Sequence, residues 1–141
     1  VPAVDAAVSQ LGGEPVAEGA AFWRSIRDQT HQYFAPARDG GMPLWRVSVK
    51  STAPFTGLAG EQLIEWGGAL RWLQGNARID ADGLRAWASE RGGHATLFRA
   101  GERTTGAFQP LTPALAVVHQ RLKAEFDPHG ILNPGRMYPS L

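Results

Sequence analysis

The chain has 141 residues, 43% of them hydrophobic, with fourteen Lys and Arg against thirteen Asp and Glu, a net charge of +1 and no cysteine. It supports one domain of ordinary size with apolar mass for a core, and its charge balance leaves no electrostatic case for nucleic acid or anionic lipid. The missing thiols exclude disulfides, thiolate metal sites and cysteine nucleophiles and suit a reducing, cytoplasmic setting, while no apolar run nears the roughly 18 residues that cross a bilayer.

The opening Val1-Pro2-Ala3-Val4-Asp5 has no initiator Met, basic n-region or apolar h-region, so it reads as an internal start rather than a signal peptide. Val4, Ala7, Val8 and Leu11 fall at i, i+3, i+4 and i+7, which predicts a short helix with Pro2 in its first turn and Gly12-Gly13 closing it. EPVAE (14–18) follows as a predicted strand. Phe22, Ile26 and Tyr33, with Trp23 beside them, predict an amphipathic helix over 20–33, an insertion on the sheet that APARDGGMP (35–43) breaks.

LWRVSVK (44–50) sets Trp45, Val47 and Val49 against Leu44, Arg46, Ser48 and Lys50, a strand with one apolar face. LIEW (63–66) and ALRWL (69–73) flank Gly67-Gly68, a hairpin signal preferred over a single bulged strand. After Asp80 as N-cap, Leu84, Trp87 and Ala88 repeat the spacing of the first helix, Gly92-Gly93 closes again, and HATLFRA (94–100) is the strand that follows. A last helix starts at Thr112 as N-cap with Pro113 in its first turn, and Leu115, Val118, Leu122 and Phe126 form its predicted buried stripe.

A helix, a Gly pair and a strand thus occur twice, eighty residues apart. Two such units suggest an α+β, ferredoxin-like antiparallel sheet with helices packed on one face. The first unit has no leading strand, so that strand, and with it a larger protein, is expected upstream of Val1.

The close of the chain, FDPHGILNPGRMYPSL (126–141), holds two X-Pro turns that force the last helix to stop near Phe126. Gly130 and Gly135 supply positive-φ freedom, and Ile131, Leu132 and Met137 are apolar anchors for the tail. Asn133 and Arg136 then offer an amide and a forked cation at a fixed place, suited to a carbonyl, ring nitrogen or phosphate, or simply to a turn cap and a carboxylate partner. No phosphate-cradling Gly-rich loop, nucleophile elbow or paired metal-ligand His is present, and His31, His94, His119 and His129 stand apart in sequence.

The string DPHGILNPGRM resembles the closing motif of FAD-linked oxidases of the vanillyl-alcohol oxidase type. FWRSIRDQ (22–29), LWRVSV (44–49), GEQLIEWGGALRWL (60–73), GGHATLFR (92–99) and HQRLKAEFDPHGILNPGRMYPSL (119–141) together resemble the FAD-binding subunits of bacterial glycolate oxidases over nearly the whole chain. The resemblance implies that residues 1–141 are a single C-terminal cap domain whose Gly-rich FAD-binding domain belongs upstream. It also implies oxidation of a small 2-hydroxy acid, glycolate to glyoxylate, with FAD taking the hydride equivalent. The partners it implies are a sister FAD subunit and an iron–sulfur subunit, in the cytoplasm or peripheral at the inner face of the membrane. An isolated piece of this kind is expected to be inactive.

Carried over by position, Asn133, Pro134, Gly135 and Arg136 match the flavin-facing turn. The Gly-Glu-His-Gly stretch of the sister subunit has no counterpart here, which puts turnover by this subunit in doubt. His94 in GGHAT is then the candidate proton acceptor, against a hydrogen-bonded strand-end histidine. Arg71 and Arg99 are candidates for a substrate carboxylate, against solvated or stacked arginines beside aromatic residues. No metal ligands are expected. Two alternatives stay open: a non-catalytic ferredoxin-like module that docks the sister subunit, and the cap of a related D-lactate or sugar flavin oxidase.

Overall fold

The computed structural model describes residues 2–12, 14, 16–55, 60–75, 79–101 and 105–141. The chain divides into two compact units, Val1–Ala35 and Pro36–Leu141.

In the first unit α1 spans Pro2–Leu11 and α2 spans Gly19–Arg27. The N–H of Gly12, at φ +69°, closes α1 on the Val8 carbonyl, while Gly13 and Pro15 lie outside the described residues. The expected strand at 14–18 does not form. Glu14 and Val16 are irregular, and the Val16 and Glu18 carbonyls instead accept from Gly19 and Phe22 N–H to start α2. The helix expected over 20–33 is cut at Arg27. Gln29 adopts φ +55°, and Thr30 and His31 N–H both turn back onto the Ser25 carbonyl. His31 Nδ1 then accepts from Tyr33 N–H at 3.2 Å and opens a 3₁₀ turn, Gln32–Phe34. Ile26 and Phe34 are buried, whereas Phe22, expected on the apolar face, and Trp23 beside it are exposed.

A short helix, α3 (Ala35–Asp39), occupies the stretch expected to break helix, because Pro36 is tolerated in a first turn. The break comes at Gly40-Gly41, with Gly41 at φ +69°.

The second unit is built on a four-stranded antiparallel sheet of β1 (Leu44–Ser48), β2 (Glu61–Glu65), β3 (Leu70–Gln74) and β4 (His94–Arg99), in the order β2-β3-β1-β4. This is the ferredoxin-like order: β1 and β2 run parallel with β3 between them and antiparallel to both. All four described strands come from residues 44–99, and residues 1–35 contribute none of them. A helix, α4 (Ala81–Glu90), makes the β3-to-β4 crossover; no helix lies between β1 and β2 among the described residues. The hairpin read from Gly67-Gly68 is present, its connection widened to a 3₁₀ turn at Trp66–Gly68.

Alternation in β1 sorts the two faces. Trp45, Val47 and Val49 join Leu73, Ala95 and Leu97 beneath Leu84 and Ala88 of α4, and this is the core. Leu84 and Ala88 are fully buried, so removing the Leu84 side chain to Ala corresponds to about 2–5 kcal/mol. Asp80 caps α4 by accepting from Asp82 N–H at 3.2 Å.

The helix ends in a paired turn: Gly93 N–H reaches the Ala88 carbonyl and Gly92 N–H the Ser89 carbonyl, both at 2.9 Å, with Gly92 at φ +69°. Gly93 is required for a second reason, since a Cβ there would sit 1.9 Å from the Ser48 carbonyl oxygen.

The last helix, α5 (Pro113–Phe126), has the expected cap, with Leu115 N–H donating to Thr112 Oγ1 at 3.4 Å. Its predicted buried stripe is not buried: Leu115, Val118 and Leu122 are half exposed and Phe126 is 79% exposed. Periodicity made the stripe apolar, but no described residue of this unit covers it. Among the described residues no helix is long and apolar enough to cross a membrane.

Candidate functional site

With α4 on one face of the sheet, the opposite face carries Arg46 of β1, Trp72 of β3 and His94, Thr96 and Phe98 of β4. Trp72 donates to Glu65 Oε2 at 2.6 Å and meets Phe98 edge to face at 5.1 Å, which fixes the aromatic floor. The segment after β4 folds over the sheet edge. Leu97 N–H bonds the Ala107 carbonyl at 2.8 Å, and Ala95 N–H bonds Gln109 Oε1 at 3.1 Å. Arg85 of α4, buried and 5.4 Å over the Trp45 ring, pins the same segment through the Thr105 and Gly106 carbonyls.

The result is a recess of about 850 Å³ walled by Phe98, Phe108 and Tyr138, with Arg46, His94 and His119 on its lining. Among the described residues no carboxylate lines it. Tyr138 holds the tail to this wall: its hydroxyl donates to the Gln109 carbonyl at 3.1 Å, and its ring meets Phe108 at 6.0 Å and His119 at 6.2 Å. His94 is therefore exposed at the head of β4, oriented by the glycine pair before it and paired in register with Ser48.

The tail is ordered by polar contacts rather than by its apolar residues. The Asp127 carboxylate, itself buried, accepts Ile131 N–H at 3.0 Å and Leu132 N–H at 2.9 Å and pairs with Lys123 Nζ at 2.6 Å. Lys123 Nζ also donates to the Leu132 carbonyl. The hydrogen bond from Lys123, with those from Leu132 and Ile131 N–H, holds the Asp127 carboxyl below the usual carboxylate range against the opposing effect of burial.

Beyond it Asn133 takes a left-handed φ of +48°, Gly135 takes +68°, and Arg136 N–H closes the turn on the Asn133 carbonyl at 3.2 Å. Asn133, Pro134, Gly135 and Arg136 are all exposed. Ile131, Leu132 and Met137, expected as anchors, are exposed at 73%, 56% and 54% and meet no covering surface among the described residues of this unit.

Asn133 and Arg136 share a smaller recess of about 350 Å³ with Lys123, Leu132 and Met137. Arg136 and Met137 also border a groove floored by Thr96, Phe98 and Phe108, residues that line the large recess too. The turn and His94 thus belong to one continuous surface. Arg71 does not: on the α4 face, 5.5 Å over Trp87, its guanidinium donates to the Gly68, Pro54 and Ala53 carbonyls. Arg99 lies beyond the recess lining, its guanidinium 5.9 Å from the Phe98 ring centre. The residues missed from sequence are Arg46, His119, Tyr138 and Asp127. Strand alternation had placed Arg46 on the polar face, and His119 is four residues from Leu115; nothing in the sequence said that this face encloses a recess.

Glycolate oxidase subunit GlcE of Escherichia coli (strain K12) is 46% identical to this chain over 140 residues, 98% of the chain and 36% of that protein. The chain therefore spans about a third of the length of the curated relative it matches, and it is homologous to that portion. The finding agrees with the resemblance carried by EWGGALRWL and GGHATLFR. No family model matches the chain, and no solved structure matches it significantly.

Proposed function

We propose that this chain is the ferredoxin-like cap of a glycolate oxidase FAD-binding subunit, and that its open sheet face roofs the site where a 2-hydroxy acid is oxidised. The observation that carries the reading is the asymmetry of the sheet. α4 seals one face, while the other carries an aromatic recess bearing Arg46, His94 and His119 and, among the described residues, no carboxylate. A hydroxy acid brings a carboxylate for a cation and a hydroxyl proton for a base. His94, exposed on the lining, is the proton acceptor in this reading. Arg46 takes the carboxylate, because the Arg71 donors are engaged at backbone carbonyls and Arg99 stands outside the recess.

FAD, when bound, accepts the hydride equivalent. The residues present fit such a group: Asn133 offers an amide and Arg136 a guanidinium beside the apolar Leu132 and Met137, a donor set for the polar edge of a flat, carbonyl-rich ring. Most of the binding would come from the two thirds of the subunit that this chain does not span. The assembly proposed is with a sister FAD subunit and an iron–sulfur subunit.

One observation favours a second reading, a non-catalytic docking module: the exposed apolar stripe of α5. The two separate in the assembled oxidase carrying His94→Ala. Loss of a general base lowers glycolate turnover by about 10²-fold or more with flavin content unchanged. Turnover at the wild-type rate would leave only the docking role.

A further inference from the structure

We propose that Asp127 and Lys123 are positioning residues for the cofactor-facing turn, a clasp that fixes where Asn133 and Arg136 point. The inference rests on the reading of that turn as a flavin contact. One carboxylate holds two successive backbone N–H groups, those of Ile131 and Leu132, at 3.0 and 2.9 Å, while Lys123 Nζ, 2.6 Å from Asp127, also binds the Leu132 carbonyl. Leu132 is thus gripped at both its N–H and its carbonyl, and the next residue is Asn133 in a left-handed conformation. Asparagine is among the few non-glycine residues that take this conformation readily, so the turn forms at little strain and the clasp is what fixes its direction.

On the far side, Gly135 N–H bonds the Leu141 carbonyl and Tyr138 holds Gln109, so the turn is tied at both ends. The apolar side chains of the tail are exposed and cannot supply this restraint. The clasp joins the last turn of α5 to the turn, so the helix sets the direction in which the Arg136 fork leaves the surface.

The full-length subunit in its complex tests this with Asp127→Asn, which keeps the shape but loses the charge that pairs with Lys123 and an oxygen that accepts an amide N–H. Amide exchange at residues 131–136 and the affinity and visible spectrum of the bound flavin are measured together, with Arg136→Ala as a parallel arm. The expected result is exchange faster by about tenfold, flavin bound about tenfold more weakly and a shifted flavin spectrum. Lys123→Met should reproduce all three in weaker form.

Unchanged exchange in Asp127→Asn would overturn the clasp itself. Faster exchange with unchanged flavin affinity and spectrum, while Arg136→Ala weakens flavin, would leave the clasp a purely structural device and overturn the positioning role. Should Arg136→Ala also leave flavin untouched, the reading of the turn as a cofactor contact fails, and the positioning proposal falls with it.

Discussion

Asp127 and Arg71 show how differently two buried charges can be employed. Arg71 donates to three carbonyls that join the hairpin turn to residues 53 and 54, and burial together with the nearby Arg91 pulls its pKa down. Asp127 does the reverse job for the tail, collecting donors rather than acceptors. Neither role was legible in the sequence. An arginine beside a tryptophan in a strand and an aspartate before a proline look alike whether they serve a ligand or the backbone, because the deciding partners lie elsewhere in the fold. The Asp127 carboxyl is held below its usual range chiefly by Lys123. A lowered folded-state value means that the unfolded chain takes up the proton first, so the stabilisation is complete above about pH 4 and is lost as pH falls through the folded value. The Ile131 and Leu132 amides should keep their exchange protection from neutral pH to about 4 and lose it below, ahead of the strand amides of β1. Amide signals followed by NMR through an acid titration check this; tail and β1 amides losing protection together would contradict it.

Elements with a local signature were readable, and those that depend on a partner were not. β1, β4, the β2–β3 hairpin, α4 and α5 each carry a period, a cap or a glycine stop within their own residues. A strand at 14–18 would need a neighbour to pair with, and a buried stripe on α5 would need a surface to bury it. The glycine pair after α4 separates two physical causes within one turn. Gly92 is needed for its φ of +69° and has only the end of the Lys50 side chain near its missing Cβ, whereas Gly93 is needed for the approach of β4 to β1, where a Cβ would lie 1.9 Å from the Ser48 oxygen. Gly92→Ala should therefore cost about 1–2 kcal/mol of stability. Gly93→Ala should cost about 3 kcal/mol or more and shift the β4 register at His94. Denaturant unfolding of the two variants gives the order directly, and an equal loss in both would mean that β4 yields without strain.

At the scale of the whole chain, the sheet of the unit Pro36–Leu141 has one face sealed by α4 and another that carries the recess, and the cluster under α4 should supply the larger share of that unit's stability, with Leu44 and Trp72 buried on the recess face. Leu84, Ala88, Trp45, Val47 and Leu97 close the core under α4, while α5 contributes no buried residue. The apolar face of α5 is then a surface the fold maintains without using it. Val118→Glu and Leu122→Glu remove apolar groups that are already half in water, so each should change the unfolding free energy of this chain by no more than about 0.5 kcal/mol. The same two changes should lower binding of a dye that reports exposed apolar surface and reduce self-association at high protein concentration. Leu84→Ala, in the same assay, should cost about 2–5 kcal/mol and leave dye binding of the folded chain unchanged. If Leu122→Glu destabilised the chain as much as Leu84→Ala does, the stripe would have to be buried in the isolated chain, and it would not be a surface left for contact.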